Sequence, residues 1–109
     1  MFEKNLALAR LLDWYGSLLS ERQRTLLDLY YNQDLSLSEI AAEVGISRQG
    51  VRDGIKKAEE ELSFFEQHLH LAERADALLA KGRQIEADTD SEETRRAVRA
   101  LLEAAGLTQ

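Results

Sequence analysis

Apolar residues recur at helical spacing almost from the start of the chain. Leu8, Leu11, Leu12 and Tyr15 share one face, which predicts a first helix over 3–15 that Gly16 stops. Ser20 and Gln23 form a capping-box pair that opens a second helix running through Tyr31, with Leu26, Leu27, Tyr30 and Tyr31 as its apolar surface. Asn32, Gln33 and Asp34 make a polar loop. Ser36 and Glu39 then repeat the capping box, and Leu37, Ile40, Ala41 and Val44 follow at i, i+3, i+4 and i+7. Gly45 supplies the positive φ that ends this helix, Ile46 folds back over the end, and Ser47 caps the next helix.

Two short helices across so tight a turn make a helix-turn-helix, with small residues, Ala41 and Ala42, where the helices cross. Such a unit ordinarily lays its second helix in a nucleic-acid groove. No segment alternates in the manner of a strand, so the expected fold is all-α, without the hairpin of a winged helix.

The helix that starts after Ser47 shows no stop signal for a long way. Val51, Ile55, Ala58, Leu62, Phe65, Leu69 and Ala72 recur at alternating spacings of 4 and 3, a heptad seam. Gly82 is the first breaker, which predicts a helical arm of ~34 residues, or ~50 Å. A second stripe, Phe64, Leu71 and Leu78, repeats every seven residues on another face. An isolated arm would expose both stripes, so a homodimer is expected through Leu62, Phe64, Phe65, Leu69 and Leu71. Cover by the last helix of the same chain is the alternative. Residues 88–91 read as an acidic linker, and Ala97, Val98, Leu101 and Leu102 share a face of a final helix that Gly106 ends. The pattern thus divides the chain into 1–57 with the motif at 36–57, an arm at 58–82, and a linker with a last helix at 83–109.

Charge qualifies the motif. The net charge is −6, yet residues 47–57 hold four bases against one acid. The basic residues Arg48, Arg52, Lys56 and Lys57 form one narrow face on an acidic chain, so non-specific affinity for nucleic acid is expected to be weak. Ser47, Arg48, Gln49, Arg52, Lys56 and Lys57 are the candidate nucleic-acid contacts. Gln49 suits adenine, the two arginines suit guanine or phosphate, and the lysines suit phosphate. The competing reading makes them solvated charges on a motif used for another interaction. Trp14, Tyr15, Tyr30 and Tyr31 belong on apolar helix faces and read as core.

Catalysis finds no footing. With no Cys there is no thiolate nucleophile or disulfide, and no Gly-rich phosphate loop or metal-ligand spacing is present. His68 and His70 sit two apart on the predicted helix and cannot chelate one ion. Glu59, Glu60 and Glu61 diverge around the helix. No cofactor or metal is expected. Without a signal peptide or an ~18-residue apolar run, the chain reads as a cytoplasmic protein with no membrane insertion.

The segment SLSEIAAEVGISRQGVRDGIKKAEEEL resembles region 4 of bacterial sigma factors through EIA-x-x-x-GISR-x-x-V-x-x-x-I-x-x-A. Over residues 5–80 the chain resembles more closely the YlxM family of small bacterial proteins, through L-x-D-x-Y-x-x-L-L, Q-R-x-x-x-x-L-Y-Y and D-L-S-L-x-E-I-A. That resemblance implies a regulatory or accessory role in co-translational targeting by the signal recognition particle. The particle's GTPase subunit or its RNA is then the implied partner. A protein adaptor that binds the GTPase without nucleic acid, and a plain sigma-like transcriptional regulator, are the alternatives. Gly50 and Gly54 depart from the family's pattern; a glycine inside a helix costs about 1 kcal/mol relative to alanine. They imply either close backbone approach or a softer start to the recognition helix.

Overall fold

The computed structural model describes residues 4–107, which form six α-helices and no strand. Helix α1 spans Leu6–Tyr15, with Asn5 as its cap: the Asn5 side chain accepts the Ala7 N–H at 2.9 Å. The expected start at residue 3 lies outside the described residues. Helix α2, Glu21–Leu27, opens with the Ser20–Gln23 capping box.

The expected run of α2 through Tyr31 is altered. From Asp28 to Asn32 the helix widens into a π turn. The Asp28 carboxylate accepts the side-chain amides of Asn32 at 2.8 Å and Gln33 at 3.2 Å, holding the wide turn closed on its own side chains. Widening rotates the face, so Leu29 joins Leu26, Leu27 and Tyr30 inside while Tyr31 stays half-buried. Helix α3 spans Leu37–Val44 and α4 spans Arg48–Leu69.

The long arm is the main correction. Instead of running on to Gly82, α4 ends after 22 residues at His70, whose φ of 56° is left-handed. Its N–H closes on the Glu66 carbonyl at 2.9 Å, and helix α5, Leu71–Asp88, begins immediately. A non-glycine residue in this conformation leaves no composition signal. Both expected segment boundaries, at 57 and 82, therefore fall inside helices. The chain forms two compact units, Met1–His70 and Leu71–Gln109.

In the first unit, α1, α2 and α3 all pack on α4. Val51, Ile55, Ala58 and Leu62 of the heptad seam are fully buried among Leu12, Tyr15, Leu26, Leu27, Tyr30 and Ile40. The seam is thus the monomer core, and each large side chain in it contributes about 1.5–3 kcal/mol of burial. Gly54 has a packing reason: a Cβ there would stand 2.6 Å from Leu26 Cδ1, so its absence lets α2 close on α4. Trp14 and Tyr31 pack against this core, and Tyr15 and Tyr30 are part of it.

The second unit is a helical hairpin of α5 with α6, Glu92–Ala104. Its connection is a clamp, not a loose linker. Arg95 Nε donates to the Glu86 carbonyl at 3.1 Å and its Nη2 to the Thr89 carbonyl at 2.6 Å, satisfying groups at the end of α5. Arg99 Nε bonds Glu86 Oε2 at 2.8 Å. Gly82 does not end a helix. It sits inside α5, where a Cβ would meet Leu102 Cδ1 at 2.8 Å, and it lets α6 approach. Gly106, with φ 74°, does end α6 as expected.

Candidate nucleic-acid interface

Local chemistry sets the helix-turn-helix almost residue by residue. At the start of α3 the Glu39 N–H donates to Ser36 Oγ at 3.1 Å and the Ser36 N–H to Glu39 Oε1 at 2.9 Å. That backbone hydrogen bond, seconded by the Ser36 side chain, holds the Glu39 carboxyl below its ordinary range. Gly45 adopts φ 79°, and the N–H groups of Gly45 and Ile46 both reach the Ala41 carbonyl, at 2.9 and 3.3 Å. Ile46 packs on the core, and Ser47 Oγ accepts the Gly50 N–H at 2.9 Å to start α4. Ser47 is therefore a cap that aims the helix.

Burial of Val51, Ile55 and Ala58 leaves the rest of the circumference of α4 to solvent. Arg48, Arg52 and Lys56 stand at successive i+4 positions along the flank of the buried stripe, and Gln49, Asp53 and Lys57 form a second row farther round; all six are exposed. The five basic and amide candidates are thus all open to solvent, spread over about half of the helix circumference. Gln49 Nε2 donates to Asp53 Oδ1 at 2.9 Å, which orients its amide along the helix.

Sequence reasoning missed the rim of this surface. A groove beside Arg48 and Arg52 is also lined by Lys4, Asp34, Ser36 and Glu39. Lys4 pairs with Asp34, and its ammonium lies 4.8 Å from the centroid of the Tyr30 ring. The Lys4 hydrogen bond and charge lower the Asp34 carboxyl, whose residue sits at a left-handed φ of 56°. Thirty positions separate the two partners, so no local pattern could have linked them. The rim is consequently of mixed charge.

Of the three carboxylates expected to diverge around α4, Glu59 and Glu61 have partners on the N-terminal elements, and so does Glu66 farther along the helix. Tyr31 donates to Glu59, Gln23 to Glu61, and Tyr15 to Glu66 Oε1, the last at 2.5 Å. Burial raises the Glu59 carboxyl above its usual range, with the Tyr31 hydrogen bond opposing; burial and that same bond raise the Tyr31 phenol. These bonds fix the far end of α4 and hold its basic face in a defined orientation. His68 serves the helix too: its Nδ1 sits 2.8 Å from the Phe64 carbonyl and its ring 4.2 Å from the Phe64 ring.

The expected dimer face needs correction at Leu62, which is wholly inside the core of its own chain. Phe65 is half-buried there, its ring 5.9 Å from that of Tyr15. Phe64, Leu69 and Leu71 remain exposed. None of the described helices is long and apolar enough to cross a membrane.

Comparison with known proteins agrees with this architecture. The family model UPF0122, "Putative helix-turn-helix protein, YlxM / p13 like", matches residues 2–101. A UPF0122 protein of Halalkalibacterium halodurans is 40% identical over 103 residues, 94% of each chain. One from Clostridium kluyveri is 54% identical over 71 residues, 65% of this chain. A third, from Desulforamulus reducens, is 48% identical over 62 residues, 57% of this chain. These last two matches span less than two thirds of the relatives' own length, 64% and 53%. With its capped α3–α4 motif and a family match over nearly its whole length, the chain belongs to the UPF0122 family of YlxM / p13-like helix-turn-helix proteins.

Proposed function

We propose that this protein is a cytoplasmic nucleic-acid-binding regulator, an accessory of the signal recognition particle pathway, with α4 as the reader. One observation carries the reading: Arg48, Gln49, Arg52, Lys56 and Lys57 are all exposed on a helix whose apolar stripe is locked in the core. Arg48 and Gln49, on the first turn, reach base edges or phosphates, and Lys56 and Lys57 contact phosphate. Two chains present two such readers together. The targeting role rests on the family resemblance, with the particle's RNA as ligand; a duplex DNA ligand instead makes the protein a sigma-like transcriptional regulator.

A titration of labelled particle RNA and of duplex DNA with wild-type protein and the Arg48→Ala/Arg52→Ala variant tests this. The double variant is expected to lose binding, and unchanged binding sinks the reading. A second reading draws on the carboxylates Asp34, Glu39 and Asp53 beside the basic stripe, which suit a protein partner of mixed charge. There the protein is an adaptor for the particle's GTPase subunit. Recovery of that GTPase from cell extract, with no nucleic acid bound, would favour the adaptor.

A further inference from the structure

We propose that Asp53 is a positioning residue that makes Gln49 a reader of adenine, through the N6 and N7 edge of the base. The proposal rests on the reading of α4 as the nucleic-acid-contacting helix and names the base that helix selects.

Gln49 is the second residue of α4, on the turn from which a recognition helix reaches base edges. Its Nε2 donates to Asp53 Oδ1 at 2.9 Å, one helical turn on. A carboxylate only accepts, so this bond fixes which end of the amide faces Asp53. One Nε2 hydrogen is thereby engaged, and the other hydrogen and the Oε1 acceptor are left for a ligand. A single donor beside an acceptor complements adenine, whose N7 accepts and whose N6 amino group donates. Guanine presents two acceptors, N7 and O6, and would set O6 against Oε1 with the Asp53 carboxylate nearby. Cytosine uses only the acceptor, and thymine only the donor. Adenine alone satisfies both.

Holding the amide in advance also reduces the side-chain freedom lost on binding. Gln49 shares a groove with Leu37 of α3 and with Arg48 and Arg52, so two guanidinium groups stand near a base at this position for its flanking phosphates. Asp53 is exposed and is the one acid among the four bases of residues 47–57. It therefore lowers attraction to phosphate while it raises selectivity, and these opposite signs distinguish it from a merely structural residue. The adenine edge is open in the major groove of duplex DNA and on an unpaired adenine of an RNA loop; the narrow major groove of an RNA helix hides it.

Two randomised pools test this on the full chain, DNA duplexes with a random central segment and RNA hairpins with a random loop. The bound fraction is quantified and sequenced for wild type, Asp53→Ala, Asp53→Asn and Gln49→Ala. Wild type is expected to enrich adenine about tenfold or more at one position per protomer. Asp53→Ala is expected to retain at least as much of the pool, with the enrichment cut about threefold or more. Asp53→Asn, whose amide oxygen still accepts the Gln49 N–H, keeps most of the enrichment, and Gln49→Ala loses it. Enrichment in the DNA pool alone identifies a duplex groove and in the RNA pool alone an unpaired base, and either upholds the inference. Binding by wild type without adenine enrichment, or enrichment undiminished in Asp53→Ala, overturns this inference and leaves the reading of α4 in place. Failure of wild type to bind either pool overturns that reading and this inference with it.

Discussion

The two units use the same helical grammar to opposite ends. In the first, three helices surround α4 and twelve apolar residues are buried together, several with no exposed surface at all. In the second, the largest buried side chain is Leu102, and the small residues Ala72, Ala75 and Gly82 are the others inside. An amphipathic helix enclosed along its main apolar stripe becomes a scaffold that can aim a reading face. One enclosed on a single side keeps an apolar surface, with Leu78, Ile85 and Leu101 exposed.

Core truncation should separate the units most sharply. Leu62→Ala removes a fully buried side chain and is expected to cost about 2–5 kcal/mol. Leu101→Ala, at a mostly exposed position, is expected to change the stability of the monomer by less than about 0.5 kcal/mol. Chemical denaturation of both variants at low protein concentration checks the pair. Equal losses would mean that Leu101 already has a partner within its own chain.

Capping gives a smaller contrast. Ser47 Oγ accepts the Gly50 N–H and Ser91 Oγ accepts the Thr94 N–H. Either serine changed to alanine is expected to cost about 1 kcal/mol. Only Ser47→Ala should weaken nucleic-acid binding as well, because it loosens the turn that carries Arg48 and Gln49. Hydrogen exchange at the first turn of α4, measured alongside binding, distinguishes a local loosening from global loss.

Glu59 provides the smallest effect and a sign test. Burial raises its folded-state pKa, so the folded protein holds that proton more tightly than the unfolded chain. Its contribution to stability is fully present below the unfolded carboxylate pKa and is lost as pH rises through the folded value. Asp34 and Glu39 are lowered and act in reverse, their contribution present above the unfolded value and lost as pH falls through the folded one. Melting temperatures of Glu59→Gln and wild type should therefore differ most near neutral pH, with the variant the more stable, and converge in acid. A difference that grows in acid would contradict the assignment.

Legibility in the sequence followed the range of the interaction. Ser36 with Glu39, Gly45, and Ser47 act over four residues or fewer, so their chemistry could be read directly and the helix-turn-helix with it. The exposed rows of α4 followed from the same periodicity. The break at His70 could not be read, because Leu69 and Ala72 keep the heptad spacing across it and no glycine marks it. Gly82 misled for the opposite reason: a glycine has the same signature whether it ends a helix or admits a neighbour, and only Leu102 decides. The heptad seam itself was real, but a single sequence does not say whose side chains cover it. Lys4 with Asp34, and the three hydrogen bonds to Glu59, Glu61 and Glu66, join residues 28–51 positions apart. No local pattern reaches that far.

The salt dependence of nucleic-acid binding tests the central claim most directly. If Arg48, Arg52, Lys56 and Lys57 each neutralise a phosphate, log affinity against log salt should fall with a slope near −4 per protomer. In Lys57→Ala that slope should shrink by about one. A slope near zero, or one unmoved by removing the bases of α4, would contradict the account.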